Sequence, residues 1–208
     1  MASQGPWAAT GFAAGTFVQT ARGLRPIERL VPGEDELEFR DGTTGPLLHL
    51  WQATFSAEDL SADEALRPVT IPALSLGGTV PSRPLVAAHS ARLHAQGRLV
   101  NRVTETPEVL IPVSSLLSGE AEVTQPAGEF TYYHVVAAKH QVLRVEGLMC
   151  ETLYLGDGTD ADLRSAVEAQ TGPLSHEAIL PRIDNETAKR LTAKLAKKKR
   201  APVSEDTA

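Results

Sequence analysis

From Thr16 to about Leu155, apolar and polar positions alternate over short runs broken by turn-forming residues. A period of two places successive side chains on opposite faces of an extended chain. It predicts strands at Phe17–Thr20, Glu36–Phe39, Leu47–Thr54, Val69–Ile71, Leu85–His94, Glu108–Val113, Glu129–Val136, Gln141–Val145 and Glu151–Leu155. The breaks fall at Arg40-Asp41-Gly42, Gly77-Gly78, Pro81-Ser82, Gln96-Gly97 and Ala127-Gly128, where glycine, proline and aspartate favour turns. Residues 56–66 carry a weaker pattern, helical or looped. Many short strands at close spacing predict a mainly β body of sandwich or barrel type.

After Leu155 the period changes. Asp157 to Asp160 can cap a helix running to about Gln170, which Gly172-Pro173 ends. A second helix can begin at Asp184 or Asn185, with Ala188, Leu191 and Leu195 on one face. The expected organisation is a leader over 1–10, a β domain over 11–156, a helical segment over 157–200 with a basic end, and a disordered tail over 201–208.

Composition narrows the class. The chain has 208 residues, 42% of them hydrophobic and 22% charged, so a folded core is expected. Its net charge of −6 argues against nucleic acid as the partner of the whole domain. A single cysteine, Cys150, allows neither an internal disulfide nor a cysteine zinc cluster. Its apolar surroundings read as a buried small hydrophobe. The N-terminal residues have no basic, apolar signal pattern, and no window reaches the length of a membrane span. A cytoplasmic location is the expectation, with signal-independent export left open.

The stretch Gly11 to Gly33 carries more than turn chemistry. Phe12, Gly15, Thr16, Thr20, Gly23, Pro26, Glu28, Leu30 and Gly33 match the opening of the Hint domain, the hedgehog/intein self-processing fold. The resemblance is to its bacterial stand-alone branch. Further blocks follow in the same order: Gly45 to Leu50, Arg83 to His89, Glu108 to Leu116, Phe130 to Leu143 and Val145 to Thr152. Together they imply a Hint-type β fold over roughly residues 11–156.

The resemblance also implies a chemistry. In active members the first residue's thiol attacks the carbonyl just before it, and the peptide becomes a thioester. Such a step needs an attached nucleophile, a general acid and donors for the oxyanion. Here the cysteine position holds Gly11, which has no side chain. The family's histidine falls on His89, and the hydroxyl three residues before it falls on Val86. The histidine pair is kept as His134 and His140. No Asn-Cys, Asn-Ser or Asn-Thr pair closes the body, so splicing of the intein type is not expected.

These departures imply a degenerate member that lacks standard autocleavage and acts as a binding or scaffold module for an unidentified protein partner. No cofactor is implied. A first alternative is residual autocatalytic cleavage or acyl transfer near Thr10-Gly11. A second is an anionic-surface or nucleic-acid binder acting through residues 184–200, where seven Lys and Arg stand against two carboxylates. That charge run reads first as a neutraliser of the acidic body, within the chain or against a second copy. His89, His134 and His140 read either as a vestigial catalytic cluster or as buried, hydrogen-bonded histidines. A three-histidine zinc site is a further reading without a spacing motif behind it. Glu146-Gly147 reads as a turn, and His49, His94 and His176 read as surface or packing residues.

Overall fold

The structure is a computed structural model that describes residues 9–77, 79–117, 119 and 121–197. Trp7, the expected leader up to residue 8, the basic run Lys198–Arg200 and the expected tail 201–208 lie outside the described residues. In chain order the elements are β1 (Phe12–Ala13), β2 (Phe17–Thr20), β3 (Gly23–Pro26), β4 (Glu36–Glu38), β5 (Thr44–Pro46), β6 (His49–Phe55), α1 (Ala57–Ala62), β7 (Val69–Ile71), β8 (Leu85–Ala87) and β9 (Arg92–Gln96). They continue as α2 (Arg98–Thr104), β10 (Glu108–Pro112), β11 (Glu122–Val123), β12 (Phe130–Val136), β13 (Val142–Val145), β14 (Leu148–Glu151), α3 (Ala161–Thr171) and α4 (Asn185–Lys197).

Two antiparallel sheets form the body. One runs β11-β7-β8-β1-β12-β6, and the other runs β10-β9-β14-β13-β2-β4-β5, with β3 paired to β2. The two-residue β1 lies between β8 and β12, with Phe12 opposite both Ala87 and Tyr133. This wedge carries the start of the domain into the middle of a sheet. The β12–β6 ladder is the longest in register, from Phe130 opposite Phe55 to Val136 opposite His49. It places His134 opposite Trp51.

The core follows from the alternation. Phe12, Val18, Leu37, Leu85, Leu93, Ile111, Val145 and Leu148 are buried in one apolar cluster. Trp51, Phe55, Leu60, Tyr132, Leu163 and Val167 form a second, which seats α3 against the first sheet. Each fully buried leucine or phenylalanine of this kind contributes roughly 1.5–3 kcal/mol. In α4 the expected stripe is realised: Ala188, Leu191 and Leu195 are buried, and the lysines face outward. Asp184 caps that helix by accepting the Thr187 N–H at 2.8 Å.

The expected strand at Leu85–His94 is two strands. Ala88 to Ala91 form a turn between β8 and β9, closed by the Ala91 N–H to the Ala88 carbonyl. Residues 85–94 contain no glycine or proline, the punctuation that marked the other breaks, so turn chemistry gave no boundary there. The Gln96-Gly97 break is also more than a turn, since Gly97 (φ +119°) begins α2. The strand expected at Glu151–Leu155 starts earlier, at Leu148, and ends at Glu151.

Candidate functional site

The polar residues buried in the first sheet converge on the point where the chain enters β1. His134 lies on β12, fully buried, and its two ring nitrogens have different partners. Nε2 lies 3.1 Å from the Glu151 carbonyl oxygen, and Nδ1 lies 3.1 Å from the Thr10 hydroxyl. A carbonyl can only accept, so Nε2 carries the proton. Burial lowers the His134 pKa to about 4, against the pull of the Glu151 carbonyl and carboxylate, so the ring is neutral at neutral pH. Nδ1 is therefore a free lone pair, and the Thr10 hydroxyl donates to it.

Thr10 is itself buried. The carbonyl just before it, that of Ala9, accepts a hydrogen bond from the Ser90 hydroxyl at 3.0 Å. Ser90 stands in the turn between β8 and β9, and the neighbouring Ala88 N–H donates to the Gly11 carbonyl at 2.9 Å. The strand-splitting turn thus grips the chain on both sides of Thr10. A cleft of about 290 Å³ opens onto Thr10 and Ser90, walled by Glu151, Tyr154, Asp160 and Arg182.

Behind His134 stands a second layer. The Glu151 side chain is 3% exposed and holds two partners. His140 Nε2 lies 3.1 Å from Oε2, and Arg182 donates through Nε at 3.0 Å and Nη2 at 3.3 Å. The Ile179 N–H donates to His140 Nδ1 at 3.2 Å, so this imidazole too has a fixed tautomer, with its proton on Nε2 facing the carboxylate. Burial pushes the Glu151 pKa up, but His140 and Arg182 outweigh it and hold the carboxyl below its ordinary value. The Arg182 guanidinium also lies over the Tyr154 ring, 4.2 Å from its centroid.

Gly11 occupies a position that only glycine fits. Its φ is +88°, and a Cβ there would overlap the Tyr133 carbonyl oxygen and lie 2.8 Å from His134 Cβ. The nucleophile position of the resemblance is therefore closed by backbone as well as lacking a side chain. Gly15, by contrast, faces open space.

The remaining sequence candidates are spread out. Val86 sits on β8 opposite Thr70, and lines a separate cleft with Ala13, Gly15, Arg83 and Glu146. His89 follows β8, where its ring has a backbone hydrogen bond with Arg67 and lies in the field of Asp63 and Glu64. Burial lowers its pKa against those acids. His89 Nε2 is buried without a partner. His94 pairs with Glu108 at 2.8 Å and His176 with Glu168 at 2.8 Å, both away from Thr10. Cys150 is buried and its thiol pKa is raised well above the ordinary value by burial, which keeps it protonated and unreactive. Among the described residues, no group of three or more His, Cys, Asp or Glu is placed to hold a metal ion. None of the described helices is long and apolar enough to cross a membrane.

Sequence reasoning missed Thr10, Ser90, Glu151 and Arg182. The signal for Thr10 was its place beside Ala9, one bond upstream of the position that the resemblance marks. The other three join the site only through folding.

A family model for the Hint domain matches residues 10–157, and the chain belongs to that family. No curated protein matches it. A solved structure, the solution structure of a bacterial intein-like domain from Clostridium thermocellum, matches with a TM-score of 0.42 and 13% identity. That match covers 69% of this chain and 97% of that one.

Proposed function

We propose that this Hint-family chain processes itself by a hydroxyl-driven acyl shift at the Ala9–Thr10 bond, one bond upstream of the closed Gly11 position. The observation that carries the reading is the Thr10 hydroxyl donating to a neutral His134 whose tautomer the Glu151 carbonyl fixes. This is the nucleophile–base–orienter arrangement of activated hydroxyls.

The steps are as follows. His134 Nδ1 takes the Thr10 hydroxyl proton as Oγ1 attacks the Ala9 carbonyl carbon. The negative charge forming on the Ala9 oxygen is met by the Ser90 hydroxyl, which already donates to it. His134 returns the proton to the Thr10 amide nitrogen, and the C–N bond breaks. The acyl group ending at Ala9 is then an ester on Thr10 Oγ1. Water entering the cleft releases it as a carboxylic acid, with a free amine and a free hydroxyl left on Thr10. The attacking group and the attacked carbonyl belong to adjacent residues, so no separate binding event is needed.

The test is intact mass of the full chain over days at neutral pH, with and without hydroxylamine. The expected products are residues 1–9 and a chain starting at Thr10, with the hydroxamate of Ala9 when hydroxylamine is present. Thr10→Ala is expected to reduce cleavage to background, and Thr10→Ser to keep it. An unchanged mass in the parent protein under every condition sinks the reading.

A second reading has its own observation. The absence of Cβ space at Gly11 supports a degenerate member without the standard thiol step, working as a binding or scaffold module. It expects a chain of constant mass that retains a protein partner in pull-downs. Under either reading, Gly11→Cys destabilises the fold rather than restoring thiol chemistry. The outward lysines of α4 support anionic-surface binding only if affinity falls steeply with salt.

A further inference from the structure

The family match ends at residue 157, yet two of the groups that hold the buried centre come from well beyond it. After α3 the chain runs back across the second sheet as an extended strap. The Leu110 N–H donates to the Pro181 carbonyl at 2.8 Å, and the Ile183 N–H donates to the Leu110 carbonyl at 3.2 Å. Arg92 Nη1 adds a bond to the Ile183 carbonyl at 2.7 Å. This docking delivers the Ile179 N–H to His140 and the Arg182 guanidinium to Glu151.

We infer that residues 179–182 complete the site, with Arg182 as a positioning residue that acts through Glu151 on His134. The inference rests on the proposed Thr10 reaction for its kinetic consequence, but not for its structural one.

The physical chain has three links. Glu151 is buried with its carboxyl held below the ordinary value, the His140 Nδ1 lone pair is taken by the Ile179 N–H, and the Arg182 guanidinium contacts the carboxylate directly. A buried carboxylate without its counter-charge must take up a proton or move toward water. Glu151 is also the residue whose backbone carbonyl fixes the His134 tautomer. Displacing its side chain therefore loosens the bond that keeps His134 Nδ1 free for Thr10. His140 offers the alternative counter-charge, but a protonated His140 cannot accept from Ile179, so taking that route undocks the strap. Docking of 179–182 and the correct protonation of both histidines are one event. A chain that lacks this segment, or has not yet docked it, holds Thr10 and His134 without the fixed tautomer.

The groups facing Glu151 are His140 from the turn before β13, the His134 ring on β12, and Arg182 from the strap. Arg92, half-buried on β9, adds a positive charge in the field of Glu151 and Arg182.

The experiment compares the full-length protein with Arg182→Gln, Arg182→Lys and Ile179→Pro. Cleavage at Ala9–Thr10 is followed by mass from pH 6 to 8. The side-chain nitrogens of His134 and His140 are followed by ¹⁵N NMR. The parent protein is expected to show a flat rate over that range, with His134 protonated on Nε2. Arg182→Gln is expected to slow cleavage at least tenfold, introduce a pH dependence in the same range, and shift the His134 nitrogens toward a tautomer mixture. Arg182→Lys, which restores the charge without the fork, recovers most of the rate. Ile179→Pro removes one N–H from an exposed position and leaves the charge in place, so it tests the strap if Arg182→Gln fails to fold. Unchanged histidine tautomers in Arg182→Gln, or in Ile179→Pro where that variant must stand in, overturn the inference. A parent protein that never cleaves overturns the Thr10 reaction instead, and the tautomer measurement still decides whether the strap sets the histidines.

Discussion

Among the described residues three buried carboxylates face an arginine, Asp35, Glu146 and Glu151, and the last two, on one hairpin, have different neighbours. Glu146 sits in the turn joining β13 to β14, with φ +49°, followed by Gly147 at φ +86°. Its carboxylate accepts from the Phe17 N–H at 2.6 Å and from Arg83 at 2.9 and 3.2 Å. The Ser82 hydroxyl adds a longer bond to Oε2 at 3.4 Å, and no imidazole is among its partners, so it fastens β2 and the segment before β8 to the hairpin. Glu151 ends the other strand of the same hairpin. Its partners include an imidazole of fixed tautomer, and its own carbonyl fixes another that touches a hydroxyl. A buried acid with an arginine is a fastening. It becomes part of a reactive centre when its neighbours include a base with an open lone pair and a nucleophile beside a polarised carbonyl.

The contrast can be pressed by removing each acid. Glu151→Ala is expected to cost about 3–5 kcal/mol in unfolding free energy, because it strands an arginine that the fold keeps partly buried. It should also stop the Ala9–Thr10 cleavage. Denaturant unfolding and intact mass check the two effects together. A variant of parental stability would show that the pair is solvated.

Acid titration separates the regions next. The native pKa of His134 is depressed to about 4 from an ordinary 6.5, so the unfolded chain binds a proton that the native ring refuses. Stability from this group is complete above about pH 6.5 and is lost as pH falls toward 4, by roughly 3 kcal/mol at most. The lowered Glu151 pKa adds a further loss in the carboxylate range. His134→Gln should flatten the fall between pH 6.5 and 4, whereas Glu146→Gln should leave it in place. Equal pH profiles for the parent and His134→Gln would refute the buried neutral ring.

The smallest effect belongs to the fastening. Glu146→Ala is expected to cost about 1–3 kcal/mol, chiefly through the Phe17 N–H left unpaired. The side chain of Arg83 is 50% exposed and rehydrates where Arg182, at 22%, does not. Cleavage should continue at the parental rate. A Glu146→Ala protein that folds but no longer cleaves would erase the distinction between the two acids.

Much of the fold was legible because alternation and turn residues report local geometry. The strands at Phe17–Thr20 and Val69–Ile71 fall where the pattern put them, and the α4 stripe did as well. Gly11 stood out through resemblance. Its physical meaning, a backbone pressed against Tyr133, came only from the sheet pairing. His134 and His140 were visible as a pair. What joins them is Glu151, which sequence alone placed at a strand start. Val86 and His89 were grouped with them by the family resemblance alone. The turn at Ala88–Ala91 instead presents Ser90 to Ala9 and leaves the His89 ring beside Arg67. Arg182 carried no signal, because its partner lies 31 residues away and the pairing depends on a strap with no periodicity.

The two-residue β1 has one more consequence, for the fate of the chain after a cut. Because Phe12 pairs on both edges at once, an α-amine created at Thr10 would stay anchored between two strands. Exopeptidases need several residues of free chain to engage, and this terminus would offer none. The matured protein would thus be born with a protected end, and its lifetime would be set by unfolding rather than by trimming.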